Sequence, residues 1–167
     1  MSITLPEIDL FLQQTGLAYE VWPCDPELAD TAAFCAHYGV ALENSANAIL
    51  VRSKTGAEKY ALCVLLATHR LNTNHTVRKK LGARKVSFAT AEQTRELTGM
   101  EIGGVTPFAL PTGLPVWVDG RIMALERIIL GGGNRSSKIV VEPQIFLHTP
   151  TTEIVGDLAK PIPEQTS

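Results

Sequence analysis

The sequence predicts a single mixed α/β domain, and three observations carry that reading. Short β-rich runs alternate with helical stripes along the chain. The clearest pair of neighbouring strands closes as a hairpin rather than through a long crossover, which argues against a doubly wound parallel sheet. No internal repeat or low-complexity linker divides the 167 residues, a length that fits one domain with a real core. Hydrophobic residues make up 45% of the chain and aromatics only 6%, so the core is expected to consist mainly of Leu, Val, Ile and Ala. The domain is placed at residues 1–160, with 161–167 as a frayed tail.

The elements follow in order. Thr4-Leu5-Pro6-Glu7 has the form of a capping box, and Ile8, Phe11 and Leu12 then form one apolar helical stripe that Gly16 ends. Leu17 to Trp22 reads as a first strand. Asp25-Pro26 starts a second helix, with Leu28, Ala32 and Cys35 on one side and a stop near Gly39. Residues 48–52 and 60–66 flank a turn containing Gly56 and read as an antiparallel hairpin. The second of these runs is apolar throughout and is expected to be covered on both faces. A helix entering at Leu71–Asn74 stops at Gly82, Lys85–Phe88 is a short strand, and Thr90-Ala91-Glu92-Gln93 caps a helix that Gly99 ends. Pro115–Val118, Arg127–Leu130 and Lys138–Val141 are further strands, and Glu142-Pro143 opens a short helix through Leu147.

Charge and motif content narrow the function classes. With 15 Lys and Arg against 17 Asp and Glu there is no global basic field. The N-terminus lacks a basic segment before its apolar part, and no apolar run approaches the ~20 residues of a membrane span, so a cytoplasmic protein without a membrane partner is expected. Cys24, Cys35 and Cys63 form no CxxC pair, and His37, His69, His75 and His148 are scattered singly, so neither a disulfide framework nor a metal site is expected. Nothing calls for a cofactor. Gly131-Gly132-Gly133 lacks the GK[ST] of a phosphate loop, no GxSxG elbow appears, and Cys35 and Cys63 sit in apolar runs that disfavour a thiolate.

Two stretches remain. Arg78, Lys79, Lys80, Arg84 and Lys85 place a third of the cations within eight residues, either as a solvated helix face or as a dock for a phosphate backbone. Gly103-Gly104-Val105-Thr106-Pro107 is a backbone that must turn tightly and then be held. It is either a structural turn or a loop whose amides face a small polar ligand.

The order and spacing of LTGMEIGGVTPFAL, VWVDG and ILGGGNRSSKIVVEPQIFL resemble the YbaK/ProX family of aminoacyl-tRNA editing domains, whose hallmark GxxxP loop is matched by Gly103 to Pro107. With TAAFCAHYGV and RLNTNHTVRKKLGARKVSFATAEQTRELTG the resemblance extends over residues 27 to 158. It implies a compact domain with a twisted, barrel-like, mostly antiparallel sheet flanked by helices. It also implies a free-standing hydrolase that removes a wrong amino acid from the acceptor end of a tRNA, often tRNA for proline, with an aminoacyl-tRNA synthetase as a further partner. The resemblance assigns catalytic work to Gly103, Gly104 and position 47, and substrate contacts to Val105, Thr106, Pro107, Asp119, Gly132 and Gly133. Arg78, Lys79 and Lys80 are expected to hold tRNA.

One position departs from the family pattern. The strand before the hairpin opens there with a lysine, whereas this chain has Asn47. Asn47 still donates a hydrogen bond but carries no charge, and it also reads as a plain strand-entry residue. Arg52, five residues along, points to the opposite face, while Lys54 and Lys59 flank the turn. The alternative to a working deacylase is therefore a binding protein that keeps the fold with weakened or lost hydrolysis. On the first reading, Asn47→Lys is expected to raise deacylation.

Overall fold

The computed structural model describes residues 4–111 and 113–162. Helix α1 spans Pro6–Thr15 and strand β1 Tyr19–Pro23. Helix α2 covers Thr31–Tyr38, followed by the hairpin β2 (Ala46–Ser53) and β3 (Tyr60–Leu66). Next come β4 (His69–Leu71), α3 (Arg78–Leu81), β5 (Val86–Phe88) and α4 (Ala91–Thr98). The remaining strands are β6 (Val116–Asp119), β7 (Ile128–Gly131), β8 (Ser137–Val141), β9 (Thr152–Val155) and β10 (Ala159–Pro161).

These strands form a five-stranded sheet in the order β5-β2-β3-β6-β9, a three-stranded sheet β1-β8-β7 and a two-stranded pair β10-β4. Pairing is mostly antiparallel, as the resemblance implied, but β6 lies parallel to both β3 and β9. A single parallel bridge, Ser45 to Ile129, links the start of β2 to the three-stranded sheet. Among the described residues the strands form three sheets rather than one closed barrel.

The hairpin register runs from Ala46↔Leu66 to Arg52↔Tyr60, which places Asn47 and the turn at opposite ends of β2. β3 is buried on both faces, as its continuous apolar run required. One face joins α1 (Ile8, Leu12), Leu130 and Ile139 in the main core. Its other face packs Cys63 and Leu65 against Val77, Leu81 and Trp117. A third cluster sets Phe34 and Cys35 of α2 on Ile129 and Val140, covering the far side of the three-stranded sheet.

Local chemistry explains where expectation and structure part. Gly16, Gly39, Gly82 and Gly99 all end helices in the left-handed conformation. Thr90 and Gln93 make the reciprocal capping box. Thr4 does not cap α1: Leu5 occupies that position, and the Thr4 hydroxyl donates instead to the Gly132 carbonyl. The second helix is broken, because Asp25 caps only a 3₁₀ turn at Pro26–Leu28 and α2 begins afresh at Thr31, with Phe34 rather than Ala32 inward. The helix before Gly82 starts with a π turn at Thr73–Val77 and is α-helical only over Arg78–Leu81. Lys160 and Pro161 pair with β4, and the Ile162 N–H donates to Thr68, so these residues are tied rather than frayed. The rest of the expected tail lies outside the described residues. No helix of the described residues is long and apolar enough to cross a membrane.

Candidate active site

The GxxxP loop and the late glycine run are packed on one another. Gly133 donates its backbone N–H to the Gly104 carbonyl at 2.6 Å. A Cβ on Gly104 would run into the backbone of Asn134, and one on Gly131 would lie 2.6 Å from the Val105 carbonyl oxygen. A Cβ on Gly132 would run into Ser137 and one on Gly133 into Ile8. The triple glycine thus lets two backbones and α1 meet where any side chain would hold them apart.

Beside this seam lies a cavity of about 310 Å³. Four segments wall it: the first turn of α2 (Asp30, Thr31), the opening of β2 (Asn47, Ile49), the loop (Gly103, Val105), and the adjacent strand positions Gly131 and Lys138. Arg135 ties the walls together. Its guanidinium donates to the Ile102 carbonyl at 2.7 Å and the Pro26 carbonyl at 3.1 Å, and pairs with Asp30 at 3.3 Å. Gly103 has φ +93°, and a Cβ there would strike that guanidinium and the Asp30 carboxylate.

Lys138 is the polar group that reading the sequence missed. It is 5% exposed and stands on β8, two residues from Val140 and so on the same α2-facing side of its sheet. Its Nζ donates to the Ala29 carbonyl at 2.5 Å and the Gly103 carbonyl at 3.3 Å, and lies 5.2 Å from the Phe34 ring centroid. Burial pushes the Lys138 pKa below the ordinary lysine value, and Arg135 adds to that. Cys24, Asp30 and Cys35 oppose it. The signal in the sequence was a lone cation inside the otherwise apolar strand Lys138–Val141.

The expected site residues divide. Asn47, Gly103 and Val105 share the cavity, and the Thr31 hydroxyl donates to Asn47 Oδ1. Gly104, Gly132 and Gly133 form the seam behind it. Thr106 is fully buried, its hydroxyl without a partner among the described residues, while Pro107 borders a separate hollow against Phe11. The loop's amides are partly consumed, since Gly104 donates to the Glu101 carbonyl and Thr106 to Met100 Sδ. Asp119 does not line the cavity. It is buried, accepts from the Arg121 N–H and guanidinium, and accepts from the Ala159 N–H at 2.9 Å, which anchors β10.

The basic cluster is elsewhere. Lys80 lies over Trp117, whose partner Cys63 is opposite Ile49, while Arg84 and Lys85 lie at the turn end of the hairpin, where the Lys54 N–H meets the Lys85 carbonyl and the Arg84 N–H meets Thr55. From Asn47 that is six strand residues, roughly 20 Å. Lys54 and Lys59 are at that far end as well, and Arg52 donates to Ser87. Within the cluster Lys80 pairs with Glu153 at 2.5 Å and lies 5.0 Å from the Trp117 ring, and Arg78 donates to the Asn74 carbonyl. Lys79, Arg84 and Lys85 are exposed.

All three cysteines are free and buried, and burial pushes the Cys24 and Cys63 thiols up, away from nucleophilic form. Among the described residues no group of three or more His, Cys, Asp or Glu could hold a metal ion. A larger hollow of about 660 Å³ opens at the other end of α2, by Val40 and Leu125. It touches neither glycine segment nor any polar side chain of the smaller cavity, and the smaller one is therefore the candidate site.

Comparison with known proteins agrees with this fold. The sequence model of the aminoacyl-tRNA editing domain matches residues 25–147, which include all four walls. A proline–tRNA ligase of Pelobacter propionicus is 26% identical over 123 residues, or 74% of this chain. The chain spans about a fifth of that relative's length. Among solved structures, a hypothetical protein superimposes with TM-score 0.80 at 23% identity, covering 92% of this chain and 99% of its own. A candidate trans-editing enzyme for prolyl tRNA synthetase superimposes with TM-score 0.76 at 20% identity, covering 93% and 97%.

Proposed function

This chain belongs to the aminoacyl-tRNA editing domain family, and from that premise we propose that it is a trans-acting hydrolase. Its reaction is cleavage of the ester between a wrong amino acid and the 3′ end of a tRNA, with tRNA for proline as the first candidate and prolyl-tRNA synthetase as its working partner in the cytoplasm. The observation that carries the reading is the cavity itself. It is small, it is bounded by the glycine loop and Asn47, and it holds an ammonium group.

The chemistry asks for little more. Ester hydrolysis needs a positioned water or ribose hydroxyl and donors aimed at the carbonyl oxygen. Backbone and amide groups supply such donors without a side-chain nucleophile, consistent with the buried thiols. A narrow pocket also sorts amino acids by size. One methylene is worth only ~1–3 kcal/mol in such a pocket, which is why a second, separate sieve is useful.

A second reading is favoured by one observation. Asn47 Oδ1 already accepts a hydrogen bond from Thr31, so the amide is partly spent on the wall of the site. On that reading the protein binds aminoacyl-tRNA without hydrolysing it. A deacylation assay over a panel of mischarged tRNAs separates the two. Turnover of at least one mischarged tRNA, with correctly charged tRNA spared, is the expected result. Binding without release of any amino acid would sink the hydrolase.

A further inference from the structure

Among the described residues Lys138 is a buried cation in no ion pair, its charge favoured only from a distance by the Asp30 carboxylate. Within that set its ammonium reaches only neutral acceptors, the Ala29 and Gly103 carbonyls. Asp30, the one carboxylate on the cavity wall, is held by Arg135. Buried charges are ordinarily paired, because an uncompensated one is costly. An ammonium has three N–H donors, and the two carbonyls fix its direction while leaving a third for something else.

We propose that Lys138 Nζ receives the anionic oxygen formed at the ester carbonyl of the substrate, and so is the charge-supplying catalytic residue of this site. In that step the oxygen of water bonds to the carbonyl carbon and gives up one proton to solvent, from which the departing ribose oxygen later takes one, while the carbonyl π pair moves onto its oxygen, which becomes the anion facing Nζ. Collapse re-forms the carbonyl and breaks the bond to the ribose oxygen, which leaves with a proton. The products are a free amino acid and a tRNA with its terminal hydroxyl. The charge comes from β8, on the other sheet from Asn47, so the cavity is cationic although the opening of β2 is neutral. The depressed pKa fits the role, since an ammonium screened by water would add little. The inference uses the hydrolase reading only to identify the oxygen as acyl.

The test uses the full chain and two probes that cannot be hydrolysed: an adenosine carrying the amino acid through a 3′-amide, and its tetrahedral phosphonate counterpart bearing a negative oxygen. The expected result is that the wild type binds the phosphonate at least tenfold more tightly than the amide by calorimetry, and that Lys138→Met loses this preference. Lys138→Gln, which keeps amide donors for the two carbonyls but no charge, should lose it too while retaining the wild-type fold by circular dichroism. In turnover both variants should lose about 10²–10³-fold in kcat with little change in KM. If neither preference nor kcat changes in a folded variant, the inference is wrong. A loss confined to KM would place the charge on the terminal phosphate and also overturn it. Phosphonate preference in a protein that deacylates nothing would retain the cation and discard the hydrolase; turnover without that preference would do the reverse.

Discussion

Gly104 and Gly133 are joined by a 2.6 Å backbone hydrogen bond, and this contact sets the position of the cavity wall. The carbonyl of Gly104 is committed to the seam, whereas that of the neighbouring Gly103 faces Lys138. Two adjacent glycines therefore have different duties, one in the fold and one at the site.

Gly104→Ala is accordingly expected to be a stability variant. Its Cβ would meet backbone, which cannot swing away, and overpacking of that kind costs about 1–3 kcal/mol. Denaturant unfolding should show a lowered midpoint. At Gly103 the φ of +93° strains any residue with a Cβ, and the added atom displaces the Arg135 guanidinium that ties the cavity walls, so ligand affinity should fall together with the midpoint. Equal behaviour of the two variants would contradict this division.

Asn47→Lys is now expected to bring no gain. With Lys138 already in the cavity, a second ammonium adds like-charge repulsion. The double variant Asn47→Lys/Lys138→Met is the informative one, and should recover part of the rate lost by Lys138→Met alone. A single Asn47→Lys that runs tenfold faster than wild type would show that the cavity lacked a cation after all.

Stability should vary with pH through Lys138. Its folded-state pKa is lowered, so between that value and the ordinary lysine value of 10.5 the unfolded chain holds more protons than the folded one. Stability contributed through this group must then rise with pH across that window, as the desolvated charge is relieved. Urea melts of wild type and Lys138→Met at several pH values should show the wild type gaining on the variant as pH increases. A constant difference would mean that the ammonium is well solvated.

Binding of tRNA should rest on Lys79, Arg84 and Lys85 more than on Lys80. The former are exposed, whereas Lys80 already has Glu153 and Trp117 as partners. Each phosphate no longer neutralised should flatten the plot of log affinity against log salt by about 0.7–0.9 and weaken different tRNAs alike. An unchanged slope in the triple alanine variant would make this a solvated face.

Much of this architecture was legible because local patterns were strong: the hairpin, the capping box at Thr90 and the glycine stops all rest on short-range chemistry. β4, β9 and β10 were not anticipated, since three or four residues with mixed polarity carry no periodicity and gain their order from partners far along the chain. The site divided in the same way. Gly103 is conspicuous as part of a motif, but Lys138 is a single residue whose meaning depends on Ala29 and Gly103 arriving beside it from other elements. Gly132 and Gly133 read as ligand contacts in one dimension, and in three they also give clearance to neighbouring atoms.

The position of β9 has a bearing on where this domain can be cut. Residues 25–147 carry the family match, yet they omit α1, β1, β9 and β10. A fragment with those limits would strip one side of Val116–Asp119, leaving Val118 and the buried Trp117 on an unpaired strand edge, and would remove Ile8 and Leu12 from the interior. Such an edge is a template for other copies of itself. The fragment should scatter light and pellet under conditions in which residues 4–162 stay dispersed, so the region that identifies the protein is smaller than the region that keeps it in solution.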